Sequence, residues 1–244
     1  MILEIAQYVL LSALIFFAVW YVSDWRKGEG RVHATWVAAL KVGTVTHALR
    51  KAYRGFADKD RFMIFWLQVL RLKKEVPEGA FAELGVYRGD TAKILLAMDA
   101  ERELFLFDTF EGFIKVDIEA EEGDAAHYST ASFADTSVSL LLERLGNSEK
   151  LKIYKGDFAE ISASLPETKF ALVSMDVDLA KPTLAGLEYF YPRMLPGGVL
   201  IIHDYNPKWP SLMKSVDGFL ERIPESGIAM PDRECSMIIV KQKR

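Results

Sequence analysis

The stretch Ala80-Phe81-Ala82-Glu83-Leu84-Gly85-Val86-Tyr87-Arg88-Gly89-Asp90-Thr91 runs an apolar segment into two glycines and then into a helical pattern. A short apolar run of this kind reads as a strand buried on both faces, and its glycine-punctuated exit reads as the turn of a βα unit. The pattern then repeats. Apolar runs recur at Leu104–Phe107, Leu151–Tyr154, Phe170–Met175 and Val199–His203. Helical stretches lie between them at Thr91–Met98, Ser137–Leu145, Ala159–Leu165 and Pro182–Tyr191, the last with a proline suited to a first helical turn. Strands separated by helices require right-handed crossovers and a mostly parallel sheet. After a helix near Leu212–Arg222, the runs Gly227–Met230 and Ser236–Lys241 flank Pro231-Asp232-Arg233-Glu234 and read as an antiparallel pair. The expected fold is an α/β sheet closed by a C-terminal antiparallel hairpin.

Upstream of Ala80 the periodicity is helical over about 33–54 and 59–75, and Pro77-Glu78-Gly79 stops the second stretch. Phe62, Phe65, Trp66, Val69, Leu70 and Leu72 give that stretch a broad apolar face. Ser23–Gly30 reads as a polar hinge. Before it, Ile5–Val22 carries no charge. At about 1.5 Å per residue, Met1–Val22 spans about 33 Å, enough for a hydrocarbon core of about 30 Å. Trp20, Tyr21 and Trp25 sit where an interfacial belt would lie, followed by Arg26 and Lys27 as a cytoplasmic flank. The segment lacks a basic start and a small-x-small end, so a cleaved signal peptide fits poorly. It reads as a membrane anchor with the rest of the chain in the cytoplasm. The alternative is a helix buried in a soluble cytoplasmic protein or packed on a second copy in a homodimer. The expected division is an apolar helix over 1–22, a hinge and lid helix over 23–57, and a catalytic domain over 58–244.

Composition agrees with one folded domain carrying an apolar leader. The 244 residues are 50% hydrophobic and 26% charged, with mean hydropathy +0.09, which is high for a soluble enzyme. A net charge of −4 gives no electrostatic case for nucleic-acid binding. Cys235 is the sole cysteine, which excludes an internal disulfide and a multi-cysteine zinc site.

Ligands of open parallel sheets sit at the carboxyl ends of the strands. Gly85 permits a tight turn there, and Gly89 permits close approach of backbone to a ligand. Tyr87 stands where a dinucleotide fingerprint wants glycine, and no Gly-Lys-Ser/Thr follows for a phosphate cradle. Glu83 would repel a polyphosphate and suits an ammonium or sulfonium. The spacing alone is equally that of a plain strand-to-helix turn. Asp108, directly after Leu-Phe-Leu-Phe, is placed to accept from ribose hydroxyls, and it is followed by Thr109 and Phe110. Asp157 and Phe158, after the third run, suit an adenine amino group and ring face.

The fourth run leads into Asp176-Val177-Asp178 and the fifth into His203-Asp204-Tyr205-Asn206. Adjacent strands would bring these tips together. Asp176 and Asp204, with Asp178 or Asn206, offer oxygens for a hard cation such as Mg²⁺, and His203 offers a general base. One such acid alone reads better as a helix cap, and the histidine as one buried at the sheet edge; two acid-bearing strand tips beside a nucleoside-type loop favour a functional site.

Ala82–Thr91 with Phe107–Gly112 resembles the cofactor half of class I S-adenosylmethionine-dependent methyltransferases. Ser174–Thr183, Leu187–Pro192 and Pro196–Asn206 resemble the macrocin O-methyltransferase (TylF) family, the likeness covering about 58–244. It implies a seven-stranded Rossmann-like sheet and methylation of hydroxyls on sugars, with Mg²⁺ assistance. By position, Glu83, Gly85, Tyr87, Gly89 and Thr91 would line the methionine end of S-adenosylmethionine. Asp108, with Thr109 and Phe110, would hold the ribose, and Asp157 and Phe158 would flank the adenine. Asp176 would be a metal or catalytic carboxylate, also beside the cofactor, with Asp204 as the second metal ligand. The family's usual Asp-Asp pair is here His203-Asp204, one oxygen ligand fewer, and Ala180 replaces a common tyrosine.

The resulting expectation is an O-methyltransferase acting on a sugar, glycan or secondary metabolite. His203 takes the hydroxyl proton, and Asp176 and Asp204 either orient it or hold a metal. The helices between 33 and 75, and the acidic loop Asp117–Asp124 with His127 and Tyr128, are expected to cover the pocket, unless that loop is merely a solvated connection. Two rivals are a membrane-tethered binding module without chemistry and another nucleotide-using Rossmann enzyme.

Overall fold

The computed structural model describes residues 2–27 and 33–243, so the Gly28-Glu29-Gly30 end of the expected hinge lies outside the described residues, while its Ser23–Lys27 part is not a hinge but continues the N-terminal helix. The chain forms two compact units, one ending at Ala57 and the other beginning at Asp58.

The first unit is helical. α1 (Ile2–Lys27) is apolar nearly throughout, and none of its segment Leu3–Ser23 is buried. The single helical stretch expected over 33–54 is instead two helices, α2 (Ala34–Val42) and α3 (His47–Gly55). Gly43 ends α2 in the left-handed region (φ 78°), and its N–H reaches back to the helix carbonyls. Thr46 opens α3 by accepting from Leu49 N at 3.1 Å. Trp36 and Tyr53 bring the two helices together, their ring centroids 4.6 Å apart.

The second unit opens with α4 (Lys59–Glu75), capped by the Asp58 carboxylate, which accepts from Asp60 N and Arg61 N. The apolar face read from the sequence is buried except Leu70, which is exposed. This stretch was expected to belong to a lid. It is a core helix packed against the sheet, because burying Phe62, Phe65, Trp66 and Leu72 outweighs any gain from mobility.

From there the chain alternates. β1 (Ala80–Leu84) leads to α5 (Asp90–Met98), and β2 (Leu104–Asp108) to the short α6 (Lys115–Ile118) and then α7 (Val138–Leu145). β3 (Leu151–Lys155) is followed by the single turn α8 (Phe158–Ile161), and β4 (Phe170–Met175) by α9 (Ala180–Phe190). β5 (Met194–Ile202), α10 (Pro210–Leu220), β6 (Gly227–Ala229) and β7 (Met237–Val240) complete it. The sheet has seven strands in the order β3-β2-β1-β4-β5-β7-β6. β1 to β5 are parallel, and β7 is antiparallel to both β5 and β6. This is the Rossmann-like order with an antiparallel C-terminal edge.

Two local differences have physical causes. β5 starts at Met194, before Pro196-Gly197-Gly198, because a register shift against β4 lets the chain rejoin the ladder at Val199. Pro182 is the third residue of α9, still within the turn where its missing N–H costs nothing. β1 and β4 are buried at every position, and strand order reverses between them. Their carboxyl ends therefore open the crevice in which such folds bind ligands.

Candidate active site

Gly85 (φ 85°) follows β1, and a Cβ there would lie 1.9 Å from the Asp176 carbonyl oxygen at the end of β4. Glycine is needed both for the turn and for this contact between strand tips. Gly89 (φ 77°) caps α5, but a Cβ on it would meet Leu141 Cδ1 of α7 at 2.4 Å, so a neighbouring side chain uses the space the glycine leaves. Tyr87 holds φ 48°, uncommon outside glycine. The loop is held open from beneath by Asp108. Its Oδ2 accepts from Val86 N at 2.7 Å and Tyr87 N at 2.8 Å, and its Oδ1 from Phe110 N at 2.7 Å. This clamp was not anticipated from the sequence.

Around the clamp, Thr91 is buried in the first turn of α5. Thr109 donates to Gly112 O at 2.6 Å, and Phe110 is buried with φ 52°. Asp157 caps α8, accepting from Ala159 N at 2.9 Å. The Phe158 ring lies in the core, with centroids of Phe107 and Phe190 at 5.3 Å and Tyr189 at 5.4 Å. Packing accounts for its position.

The segment after β2 folds over the loop. Tyr87 donates its hydroxyl to Asp135 Oδ1 at 2.7 Å and meets Phe133 edge-on at 5.1 Å. The Thr136 hydroxyl donates to Tyr87 O at 2.5 Å. The acidic loop is not a free solvated connection. Asp117 is buried and accepts from Lys181 Nζ at 2.5 Å, and Glu121 accepts from Ala180 N at 2.6 Å, so both acids fasten this segment to the start of α9. The sign of these charges was visible in the sequence, but their partners were not. Tyr128 reaches back towards the strand tips, where burial and the nearby Asp178 and Asp204 charges keep its phenol protonated.

At the tips of β4 and β5, His203 Nδ1 lies 3.0 Å from Asp176 Oδ1 and 3.0 Å from Asp204 Oδ1. Asp178 and Asp204 both sit in the left-handed region, at φ 58° and 61°. Such strain concentrates at functional sites. Asp176 has a second partner that sequence reading missed: Arg61 of α4, whose Nη1 lies 2.9 Å from Asp176 Oδ2. A signal existed, since positions 61, 65, 69 and 72 share one helical face and Arg61 is the charge on it.

The electrostatics follow from this geometry. Burial works to raise the Asp176 carboxyl, but the Arg61 guanidinium and then His203 outweigh it and hold the group well below the ordinary value. Burial works to discharge His203, yet the Asp176 charge and the bonds to Asp176 and Asp204 push it up to about 10. Asp178 is raised well above the ordinary range by burial and by the Asp204 and Asp176 charges. Glu83, 2% exposed, is likewise raised by burial and then by Asp176, against a smaller pull from Arg61. Its Oε2 has no hydrogen-bond partner among the described residues.

Asp176, His203 and Asp204 each bring one ligand-capable atom within 4.8 Å of the others, close enough for a metal. The donors do not suit magnesium, which takes oxygens in near-octahedral array. Both Asp176 oxygens are engaged, one by a guanidinium, and His203 offers nitrogen where the expected pair would offer a carboxylate. Glu83, Asp176 and Asp108 stand differently towards a sulfonium bearing an ammonium. Three carboxylates converge on the glycine loop, and the innermost is buried with an unpaired oxygen. That donor set fits a cationic ligand.

Comparison with known proteins gives one consistent picture. The family model described as Macrocin-O-methyltransferase (TylF) matches residues 58–232. A Streptomyces olivaceus protein named 8-demethyl-8-(2,3-dimethoxy-alpha-L-rhamnosyl)-tetracenomycin-C 4'-O-methyltransferase is 28% identical over 138 residues, 52% of this chain and 53% of that protein. Mycinamicin III 3''-O-methyltransferase of Micromonospora griseorubida is 30% identical over 147 residues, 55% of this chain and 58% of that protein. This chain thus spans a little over half the length of each. Among solved structures, the O-methyltransferase NovP superposes with a TM-score of 0.66 at 24% identity, covering 76% of this chain and 81% of NovP. CalS11, a calicheamicin methyltransferase, does so at 0.59 and 25% identity, covering 73% and 79%.

Proposed function

This chain belongs to the macrocin O-methyltransferase (TylF) family, and from that premise we propose that it methylates a hydroxyl of a sugar-bearing small molecule, with S-adenosylmethionine as donor. The observation that carries the reading is Glu83: a buried carboxyl with an unpaired oxygen, crowded by Asp176 at the mouth of a glycine loop. A positively charged ligand relieves that crowding, and a phosphate worsens it. Both relatives are named as O-methyltransferases, and the name of the Streptomyces olivaceus protein carries a rhamnosyl group, which supports the acceptor class.

Residues 58–244 form the catalytic domain in this reading. The bound cofactor supplies an electrophilic methyl group on a sulfonium. Glu83 and Asp176 face its positive charges, Gly85, Tyr87, Gly89 and Thr91 shape the methionine end, and Asp108 with Thr109 and Phe110 hold the ribose end. Asp157 and Phe158 flank the adenine, through the capping carboxylate and the α8 backbone. His203 takes the acceptor's hydroxyl proton on Nε2 while Asp176 and Asp204 hold Nδ1 and stabilise the charge gained. At rest His203 is protonated; positive charge entering the cleft lowers its pKa, and the Nε2 proton leaves to solvent before the acceptor's hydroxyl donates to that nitrogen. No step requires a metal. Methyl transfer from labelled S-adenosylmethionine to a panel of glycosylated acceptors tests the reading, with calorimetry against NAD as control. Binding of NAD but not of S-adenosylhomocysteine would refute it.

The unburied α1 serves as a membrane anchor with residues 58–244 on the cytoplasmic side. Its 26 residues reach about 39 Å at 1.5 Å per residue, enough to cross a bilayer. Trp20 and Tyr21, both exposed, lie at the end nearer Arg26 and Lys27. Retention in the membrane pellet after carbonate extraction is expected. A detergent-free soluble dimer would assign α1 to a subunit interface instead.

A further inference from the structure

We propose that Arg61 is the resident cation of the hydroxyl-activating cluster, a positioning residue that holds Asp176 on His203 in the place a divalent metal would otherwise fill. The inference rests on the reading of the strand tips as the hydroxyl-activating site, but it concerns a residue outside them. Arg61 lies in the first turn of α4, 115 positions from Asp176, and its side chain is 8% exposed. A positive charge at a helix N-terminus opposes the helix dipole, and a buried guanidinium carries a desolvation cost. Helix formation does not explain it. Its one side-chain hydrogen bond among the described residues does: Nη1 donates to Asp176 Oδ2 at 2.9 Å, while Nε and Nη2 are buried and unpaired there.

That bond fixes the rest of the cluster. With Oδ2 on Arg61, Asp176 turns Oδ1 to His203 Nδ1 at 3.0 Å, and the same nitrogen meets Asp204 Oδ1 at 3.0 Å. The three candidate ligand atoms face one another. A divalent ion among them would stand beside a buried, permanently charged guanidinium. Arg61 does for Asp176 what a metal does for a ligating carboxylate: it keeps it ionised and fixes its direction. Its own position is pinned by Asp58, which caps α4 and also accepts from Arg233 N at 2.9 Å.

Two measurements on the full chain test this. Titration with Mn²⁺, followed by electron paramagnetic resonance, should leave the free-ion spectrum unchanged, and EDTA should not alter turnover. Stoichiometric Mn²⁺ binding that is lost in Asp176→Asn would overturn the proposal. Arg61→Gln should lower kcat by about 10- to 100-fold, the range for residues that orient a catalytic group, with S-adenosylhomocysteine affinity nearly unchanged. Arg61→Lys, or millimolar guanidinium added to Arg61→Gln, should recover part of it. Unchanged kcat in Arg61→Gln would also overturn it. If Arg61→Gln does not fold, Arg61→Lys and the Mn²⁺ titration still decide. The Mn²⁺ arm needs no acceptor, so failure of methyl transfer itself would appear separately, as loss of turnover with every acceptor tried.

Discussion

Gly85 lies so close to Asp176 that a Cβ on the glycine would stand 1.9 Å from the aspartate's carbonyl oxygen. The glycine loop and the tip of β4 are thereby one rigid contact. Gly85→Ala must move backbone and also place alanine at φ 85°. The combined overpacking and left-handed strain cost about 3 kcal/mol or more. A fall in melting temperature and loss of S-adenosylhomocysteine binding by calorimetry are expected. A variant with native affinity would show that the strand tips can separate without harm.

Asp108 supports the loop before any ligand arrives, since three backbone N–H groups already end on its carboxylate. Asp108→Asn turns a donor towards some of them, leaving buried groups unsatisfied at about 1–3 kcal/mol each. The prediction is that the ligand-free protein itself melts earlier. If Asp108 served the ribose alone, only the ligand-induced rise in melting temperature would shrink.

His203→Ala removes the proposed proton acceptor but leaves the glycine loop intact. Turnover should fall by about 10²- to 10⁴-fold, the usual worth of a general base. Cofactor affinity should stay within a few fold. Near-normal kcat in single-turnover assays would transfer the role to another group, with Asp204 next in line because its Oδ2 is buried and unpaired among the described residues.

The charge on His203 also has a stability signature. Its folded pKa, pushed up to about 10, lies above the ordinary 6.5, so its ion pairs stabilise fully below pH 6.5 and fade as pH rises through 10. Melting curves of the wild type and His203→Ala should therefore differ most near pH 6 and converge above pH 10. A gap that widens with rising pH would mean that the imidazole is neutral at rest.

The strands were legible because residues buried on both faces of a parallel sheet form mostly apolar runs, broken by a single polar residue in each of β1 (Glu83) and β4 (Ser174). Ala80–Leu84 and Phe170–Met175 agree with the sequence reading at both ends. The tips of β4 and β5 were legible for a topological reason, since parallel neighbours place their following residues side by side. Gly43 was harder to read, because one glycine within an amphipathic pattern is either tolerated or a terminator. The environment of Phe158 was not legible. An aromatic after a strand suits a ligand or a core equally, and its packing on Phe107, Tyr189 and Phe190 depends on two other segments, β2 and α9.

By itself, then, the sequence determined the alternation of elements, the two glycines, the acid-bearing strand ends and the apolar leader, all properties of local period and composition. Tertiary structure alone decided that Arg61 meets Asp176, that Asp108 holds the loop from below, and that Asp117 and Glu121 fasten a cover to α9. Each of these joins residues that are distant along the chain. The choice among possible partners is made by what strand order and helix packing bring within bonding distance, and by the cost of leaving a buried charge alone.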